Sequence, residues 1–209
     1  FGGLGQNIFN PAMVGRAFVM ISFASVMGAT AYVRPDAALE ILTQATPLTA
    51  AKETAGADLP GLWLMFLGNV NGSLGETSVL ACLVGGLYLC WRRATSWQLP
   101  VSVLVGATVA AGLANLMNPD TPLTVLQHLT GGSLVFAAFF IVTDPVSSPL
   151  TVRGKVVFGV GVGVLVVMIR VLSNYPEGVV FAVLLMNSMV PLLNRWMVPK
   201  PFGGPLPVR

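Results

Sequence analysis

The sequence predicts an all-α protein, a polytopic bundle of membrane helices that forms a single integral membrane domain over residues 1–209. Only 9% of the residues are charged and 55% are hydrophobic, whereas soluble domains carry about 25% charged residues. Apolar stretches recur along the chain, several of them close to the length of about 20 residues that crosses a bilayer. The net charge of +3 is small and forms no basic patch. We therefore expect the lipid bilayer, and no nucleic acid, as a partner.

The first predicted span begins after Asn10 and runs to about Val33, with Pro11 in the first turn, where its missing N–H costs nothing. Five more spans are predicted at about residues 76–91, 98–117, 123–143, 155–172 and 177–195. Residues 59–68 are apolar but too short to cross a bilayer, which predicts a re-entrant or interfacial segment. Because the chain starts at Phe1 in the lead-in to a helix, we expect N-terminal spans to be missing from it.

The basic residues predict the orientation of the bundle. They follow the second, fourth and sixth predicted spans: Arg92, Arg93, Arg153, Lys155, Arg195, Lys200 and Arg209. All of them fall on one side if the segment 59–68 enters the membrane and returns on the same side. Since Lys and Arg concentrate in cytoplasmic loops, the polar loop 34–59 is expected on the outer side.

Two glycine-rich segments resemble each other. Residues 2–12 lead into the first span from the inside, and residues 71–81 lead into the second from the outside. Similar lead-ins from opposite faces are typical of an inverted repeat, which places ligand sites near helix N-termini. Chance similarity of two glycine-rich segments is the alternative.

Five ionisable residues near or within the spans have a structural and a functional interpretation. Glu76 opens a span, where a carboxylate suits the helix dipole, and Asp144 closes one, where it can cap a turn; both are also candidates for a functional carboxylate. Arg16 and Arg170 either snorkel or pair structurally, or hold an anionic ligand such as a phosphate. His128 is the only histidine, which excludes a multi-histidine metal or haem site, and it is a core residue or a proton relay.

Small and sulfur-containing residues indicate packing. Gly159 and Gly163 are four residues apart and predict a close helix–helix contact. Cys82 and Cys90 lie in an apolar stretch and are interpreted as buried thiols. The sequence has no nucleotide-binding loop, no Ser-His-Asp set and no cysteine cluster, so its residues predict a transporter-like bundle without catalytic chemistry of its own.

Several blocks, in order along nearly the whole chain, resemble the D subunit of the Rnf ion-translocating oxidoreductase complex and, more distantly, the B subunit of the sodium-pumping NADH:quinone reductase. These blocks are "FGGLGQNIFNPAMVGRAF" (1–18), "ATPLTAA" (45–51), "NGSLGETS" (71–78), "GGSLVFAAFFIVTDPVSSP" (131–149) and "YPEGVVFAVLLMNSMVPLLNR" (175–195).

The resemblance implies a covalent FMN. In this family a threonine in a D-x-x-[ST]-x-A-T pattern carries FMN through a phosphoester made by a dedicated flavin transferase outside the cytoplasmic membrane. The matching residues are Thr43, Ala45 and Thr46, with Thr46 as the attachment point. Two residues depart from the pattern: Glu40 stands in place of the Asp, which keeps the carboxylate, and Gln44 stands where a small residue is common.

The resemblance also implies the function and the surroundings. The chain is expected to pass electrons between redox subunits that link ferredoxin and NAD, coupled to Na⁺ or H⁺ movement, in the bacterial inner membrane. Partners would be the A, B, C, E and G subunits of the complex and the flavin transferase. A second, non-covalent riboflavin is expected from the related subunits.

Some cofactor contacts are predicted from position alone. Candidate cofactor or ion contacts at helix starts are Gln6, Asn7, Asn10 and Glu76, supported by Arg16, and candidates to cover the FMN ring are Tyr32, Trp63 and Phe66. Two other functions compete with electron transfer. One is a small-solute channel or transporter with a urea-transporter-like fold, and the other is a structural scaffold; a covalent flavin would distinguish electron transfer from both.

Overall fold

A computed structural model describes residues 7–23, 48, 60–70, 77–118, 123–173 and 178–197. These residues form helices and turns, with no strand among them, in agreement with the predicted all-α class. In chain order the helices are α1 (Pro11–Ser22), α2 (Leu62–Leu67), α3 (Val79–Trp91), α4 (Gln98–Met117), α5 (Val125–Thr130), α6 (Leu134–Phe136), a π-helix (Ala137–Ile141), α7 (Val152–Leu172) and α8 (Val179–Trp196).

Three of the described helices, α4, α7 and α8, are long and apolar enough to cross a membrane. They confirm the predicted spans at 98–117, 155–172 and 177–195. Helix α1 begins at Pro11 as predicted, with the Asn10 side chain accepting hydrogen bonds from the Ala12 and Met13 N–H groups. Its predicted continuation to Val33 lies outside the described residues. Helix α3 is shorter than predicted because it begins at Val79, where the Ser78 hydroxyl caps it.

Helices α4 and α7 pack with their backbones close together, as the Gly159/Gly163 spacing predicts. A Cβ atom on Gly163 would overlap the Val103 carbonyl oxygen and lie 2.6 Å from the Ala107 nitrogen. One on Gly106 would lie 2.6 Å from the Val160 carbonyl oxygen. Glycine at position 106 of α4 and at position 163 of α7 therefore permits this contact, which forms the centre of the hydrophobic core.

The prediction of one continuous span over residues 123–143 is wrong. Helix α5 begins at Val125, preceded by Thr124 in a capping box with Gln127, and it ends after six residues, before Gly131. Gly131 is extended and Gly132 has a φ of +67°, a conformation that glycine adopts without strain. The chain re-forms a helix at Leu134 and continues as the π-helix. We call residues Gly131–Ser133 the helix break.

The predicted short segment at 59–68 is a two-turn helix, α2, which ends at Gly68 with a φ of +96°. A Cβ atom on Gly68 would lie 2.7 Å from the Ser78 Cα atom, so glycine permits the close approach of α2 to the start of α3. Helix α2 also packs against α5. The depth of this segment in a bilayer stays a prediction.

Part of each of the three predicted basic groups is described by the structure. These described residues lie at one end of the bundle, as predicted. The Lys155 ammonium donates to the Ser96 hydroxyl at 2.6 Å, which joins the start of α7 to the turn that follows α3. The Leu150 N–H donates to the Asn194 side chain at 3.0 Å, which joins the same region to the end of α8 beside Arg195. We call this end, with Arg92, Arg93, Arg153, Lys155 and Arg195, the basic end.

Candidate functional site

The described polar residues in the interior form two groups at different depths of the bundle. The Asn10 cluster (Asn10, Asp144, Ser147 and Asn187) lies near the middle of α8, since Asn187 is about 10 Å along that helix from Asn194 and about 12 Å from Val179. The Arg170 cluster (Arg170, His128 and Gly131) lies at the end of the bundle remote from the basic end. Arg170 is in the last turn of α7, about 25 Å from Arg153 at the start of the same helix.

In the Asn10 cluster, amides and a carboxylate join three segments of the chain. The Asp144 carboxylate accepts from the Ser147 hydroxyl at 2.8 Å, the Val146 N–H at 3.2 Å and the Asn10 amide at 3.4 Å. Asn187 is 1% exposed. The Asn187 side-chain amide is placed in the orientation in which both of its ends have partners. In that orientation its nitrogen donates to the Ser147 carbonyl oxygen at 3.2 Å, and its oxygen accepts from the Asn10 N–H at 3.1 Å. Asp144 thus caps a turn, which was the structural interpretation of this residue.

Replacing Asn187 with leucine is expected to lower the free energy of unfolding by roughly 1–3 kcal/mol, because the Asn10 N–H and the Ser147 carbonyl lose their partner. Ser188→Leu is the matched control, since Ser188 is exposed and, among the described residues, its hydroxyl donates to the Leu185 carbonyl oxygen within the same helix. The midpoint of thermal denaturation in detergent measures both variants. Equal midpoints would show that the Asn187 bridge does not stabilise the fold.

In the Arg170 cluster, a buried cation satisfies the end of a short helix. Arg170 is 3% exposed, and its two terminal nitrogens donate to the His128 carbonyl oxygen at 2.6 Å and the Gly131 carbonyl oxygen at 3.0 Å. These carbonyls belong to the C-terminal end of α5, which lacks further helical partners and attracts positive charge. His128 is 2% exposed, and its Nδ1 atom has no hydrogen-bond partner in the part of the chain that the structure describes. Arg170 therefore has the structural role that was one of its two interpretations, and His128 is buried in the core.

The helix break also contacts the polar loop. Leu48 is 2% exposed and shares a small apolar cluster with Leu123. A Cβ atom on Gly131 would lie 3.2 Å from the Leu48 Cδ2 atom. Leu48 therefore lies against the helix break, at the end of the bundle that is remote from the basic end.

The structure describes only some of the predicted site residues. Asn10 lies in the Asn10 cluster, and Arg16 is half-buried on α1. Trp63 and Phe66 stack on α2 with ring centroids 6.1 Å apart; their contact with a flavin stays a prediction. Asn7 is exposed ahead of α1. The other candidates lie outside the described residues: Gln6, Tyr32, Glu40, Thr43, Gln44, Ala45, Thr46 and Glu76.

Three features were missed in the sequence. Asn187 is a single amide within the apolar segment of α8, and that isolation is a signal for a buried polar contact. The pair Gly131–Gly132 within an apolar stretch is a signal for a break in the helix. The contact between Leu48 and Gly131 has no signal in the sequence. Groups of three or more metal-ligating side chains are also absent from the described residues.

A bundle with three helices long and apolar enough to cross a membrane, a broken helix and buried polar clusters indicates a helical membrane protein. The chain belongs to the NQR2, RnfD, RnfE family, whose model matches residues 1–203.

Curated relatives cover 97% of this chain at similar identity. This chain is 39% identical to the D subunit of the proton-translocating ferredoxin:NAD(+) oxidoreductase complex of Clostridium ljungdahlii. It is 38% identical both to the D subunit of the Na(+)-translocating ferredoxin:NAD(+) oxidoreductase complex of Acetobacterium woodii and to the D subunit of the ion-translocating oxidoreductase complex of Stutzerimonas stutzeri. The chain spans 63%, 61% and 65% of the length of these three relatives, respectively.

Proposed function

We propose that this chain is the FMN-carrying membrane subunit of an Rnf-type complex, and that it passes electrons between redox subunits that link ferredoxin and NAD. Three relatives named as D subunits of such complexes support this proposal. The coupled ion is Na⁺ or H⁺, and both ions occur in the names of these relatives. The partners are the A, B, C, E and G subunits and a flavin transferase, and the location is the bacterial inner membrane.

The cofactor assignment rests on the resemblance of residues 40–46 to the flavin-attachment pattern. The observation that supports its placement on the outer side is the position of Leu48, two residues after Thr46 in the chain. Leu48 is packed at the end of the bundle remote from the basic residues. Basic loops face the cytoplasm, so an FMN at Thr46 would be on the outer side, where the flavin transferase acts. Bound FMN supplies one- and two-electron chemistry that the side chains of this protein lack.

The residues of this chain would hold the cofactors in two places. Thr46 supplies the hydroxyl for the phosphoester, with Thr43 and Ala45 in the sequence that the transferase recognises. Asn10, Arg16 and Glu76 are the proposed contacts of a second, non-covalent riboflavin or of the ion. Asn10 is joined to Asp144 and Asn187 by hydrogen bonds, so a ligand at this place would have to exchange for one of these contacts.

The proposal is tested in membrane vesicles that contain the assembled complex. Reduced ferredoxin is added by rapid mixing, and the flavin absorbance is followed before and after addition of NAD⁺. We expect flavin of this subunit to be reduced and then reoxidised at the rate of NADH formation. A subunit without any chromophore that lets small polar solutes cross the vesicle membrane would favour the channel instead.

A further inference from the structure

The helix break forms a recess on α5 that is occupied by part of the polar loop. Gly131 provides the space, because a Cβ atom there would lie 2.7 Å from the Gln127 carbonyl oxygen and 3.2 Å from Leu48. Leu48 fills this space and is 2% exposed, although it comes from a predominantly polar segment. Burial of a leucine side chain is favourable, so this contact holds the residue against the helix break.

Arg170 fixes the shape of this recess. Its guanidinium donates to carbonyl oxygens on both sides of the last turn of α5, those of His128 and Gly131. The planar guanidinium holds two acceptors at a fixed angle, which a lysine ammonium does not do. The Gly131 backbone against which Leu48 packs is therefore held by the core helix α7.

The recess restrains the attachment point of the flavin through the chain itself. Thr46 is two residues before Leu48, and two residues of chain span at most about 7 Å. A flavin on Thr46 is thereby confined to the neighbourhood of the helix break when Leu48 is bound there.

We infer that the helix break is the docking site of the flavin-bearing segment, with Leu48 as the residue that docks and Arg170 as the positioning residue that keeps the site in shape. That the positioned group is FMN rests on the proposed function. The docking of the segment rests on the contacts of Leu48, Gly131 and Arg170 alone.

The first test uses Leu48→Ala in the full chain, produced with an active flavin transferase and freed of dissociable flavin. The fluorescence anisotropy of the covalent FMN is expected to fall, because the attachment point gains freedom. Leu126→Ala is the matched control, since Leu126 is on the same helix as the recess but 57% exposed, and its anisotropy is expected to equal that of the wild type. Leu48→Met, which conserves volume, is expected to restore the wild-type value.

A second variant keeps the inference testable if Leu48→Ala does not fold. Arg170→Lys retains the charge but loses the paired hydrogen bonds, and a fall in FMN anisotropy in the same direction is expected. Wild-type anisotropy in both Leu48→Ala and Arg170→Lys would overturn the docking site.

A probe that needs no flavin separates this inference from the proposed function. A nitroxide label is placed at Thr46→Cys in a chain whose Cys82 and Cys90 are replaced by alanine. Its spectrum is expected to sharpen with Leu48→Ala and to stay unchanged with Leu126→Ala, whether or not the wild type carries FMN. Equal spectra in the two variants would contradict docking even if the mass of FMN is found on Thr46.

Discussion

Thr46→Val is expected to abolish electron transfer from ferredoxin to NAD⁺ in membranes that contain the assembled complex. Valine has nearly the shape of threonine but lacks the hydroxyl that forms the phosphoester, so the subunit would assemble without its FMN. No described side chain can replace a flavin as an electron carrier. The measurement is the rate of NADH formation from reduced ferredoxin, compared at equal amounts of assembled complex.

Thr49→Val is the control for this variant, because it makes the same change three residues further along the same segment. We expect it to keep both the flavin and the wild-type rate. Undiminished NADH formation in Thr46→Val would contradict the role of Thr46, whereas equal losses in both variants would show that the loop, and not the flavin, is required.

Gly163→Ala is expected to destabilise the bundle by crowding the contact between α4 and α7. The new methyl group would overlap the Val103 carbonyl oxygen and the Ala107 nitrogen, which are backbone atoms of a packed helix and cannot turn aside. Overpacking of this kind costs roughly 1–3 kcal/mol. The higher helix propensity of alanine, worth up to about 1 kcal/mol, offsets part of this cost.

Gly112→Ala serves as the control on the partner helix, because a Cβ atom at Gly112 meets nothing within 4 Å. It is expected to leave stability unchanged or to raise it slightly. Thermal denaturation in detergent, followed by the loss of the monodisperse peak in size-exclusion chromatography, compares the two variants. A Gly163→Ala midpoint equal to that of Gly112→Ala would contradict the close α4–α7 contact.

Local patterns were sufficient to predict the long helices. Helix α4 lies between the polar segments that hold Arg93 and Asn118, and α7 starts beside Arg153, so composition marks their ends. The Asn10–Pro11 pair predicted the start of α1 because capping depends on neighbouring residues. The span at 123–143 was predicted wrongly because hydropathy sums over residues and does not register the conformation of Gly131 and Gly132.

The candidate sites depend on contacts that are distant in the sequence. Arg170 bonds to carbonyls about 40 residues earlier, and Asn187 joins segments near residues 10 and 147. Periodicity and spacing carry no information on such pairs. Thr46 was found only through the resemblance of the whole chain, since a threonine in a polar loop has no physical signature of its own.

The most direct test of the flavin-carrier function is the mass of the peptide that contains Thr46, taken from the purified subunit of a host with an active flavin transferase. We predict an increase equal to one FMN less one water on that peptide, and its complete loss in Thr46→Val. An unmodified Thr46 peptide from such a host would contradict the electron-carrier function.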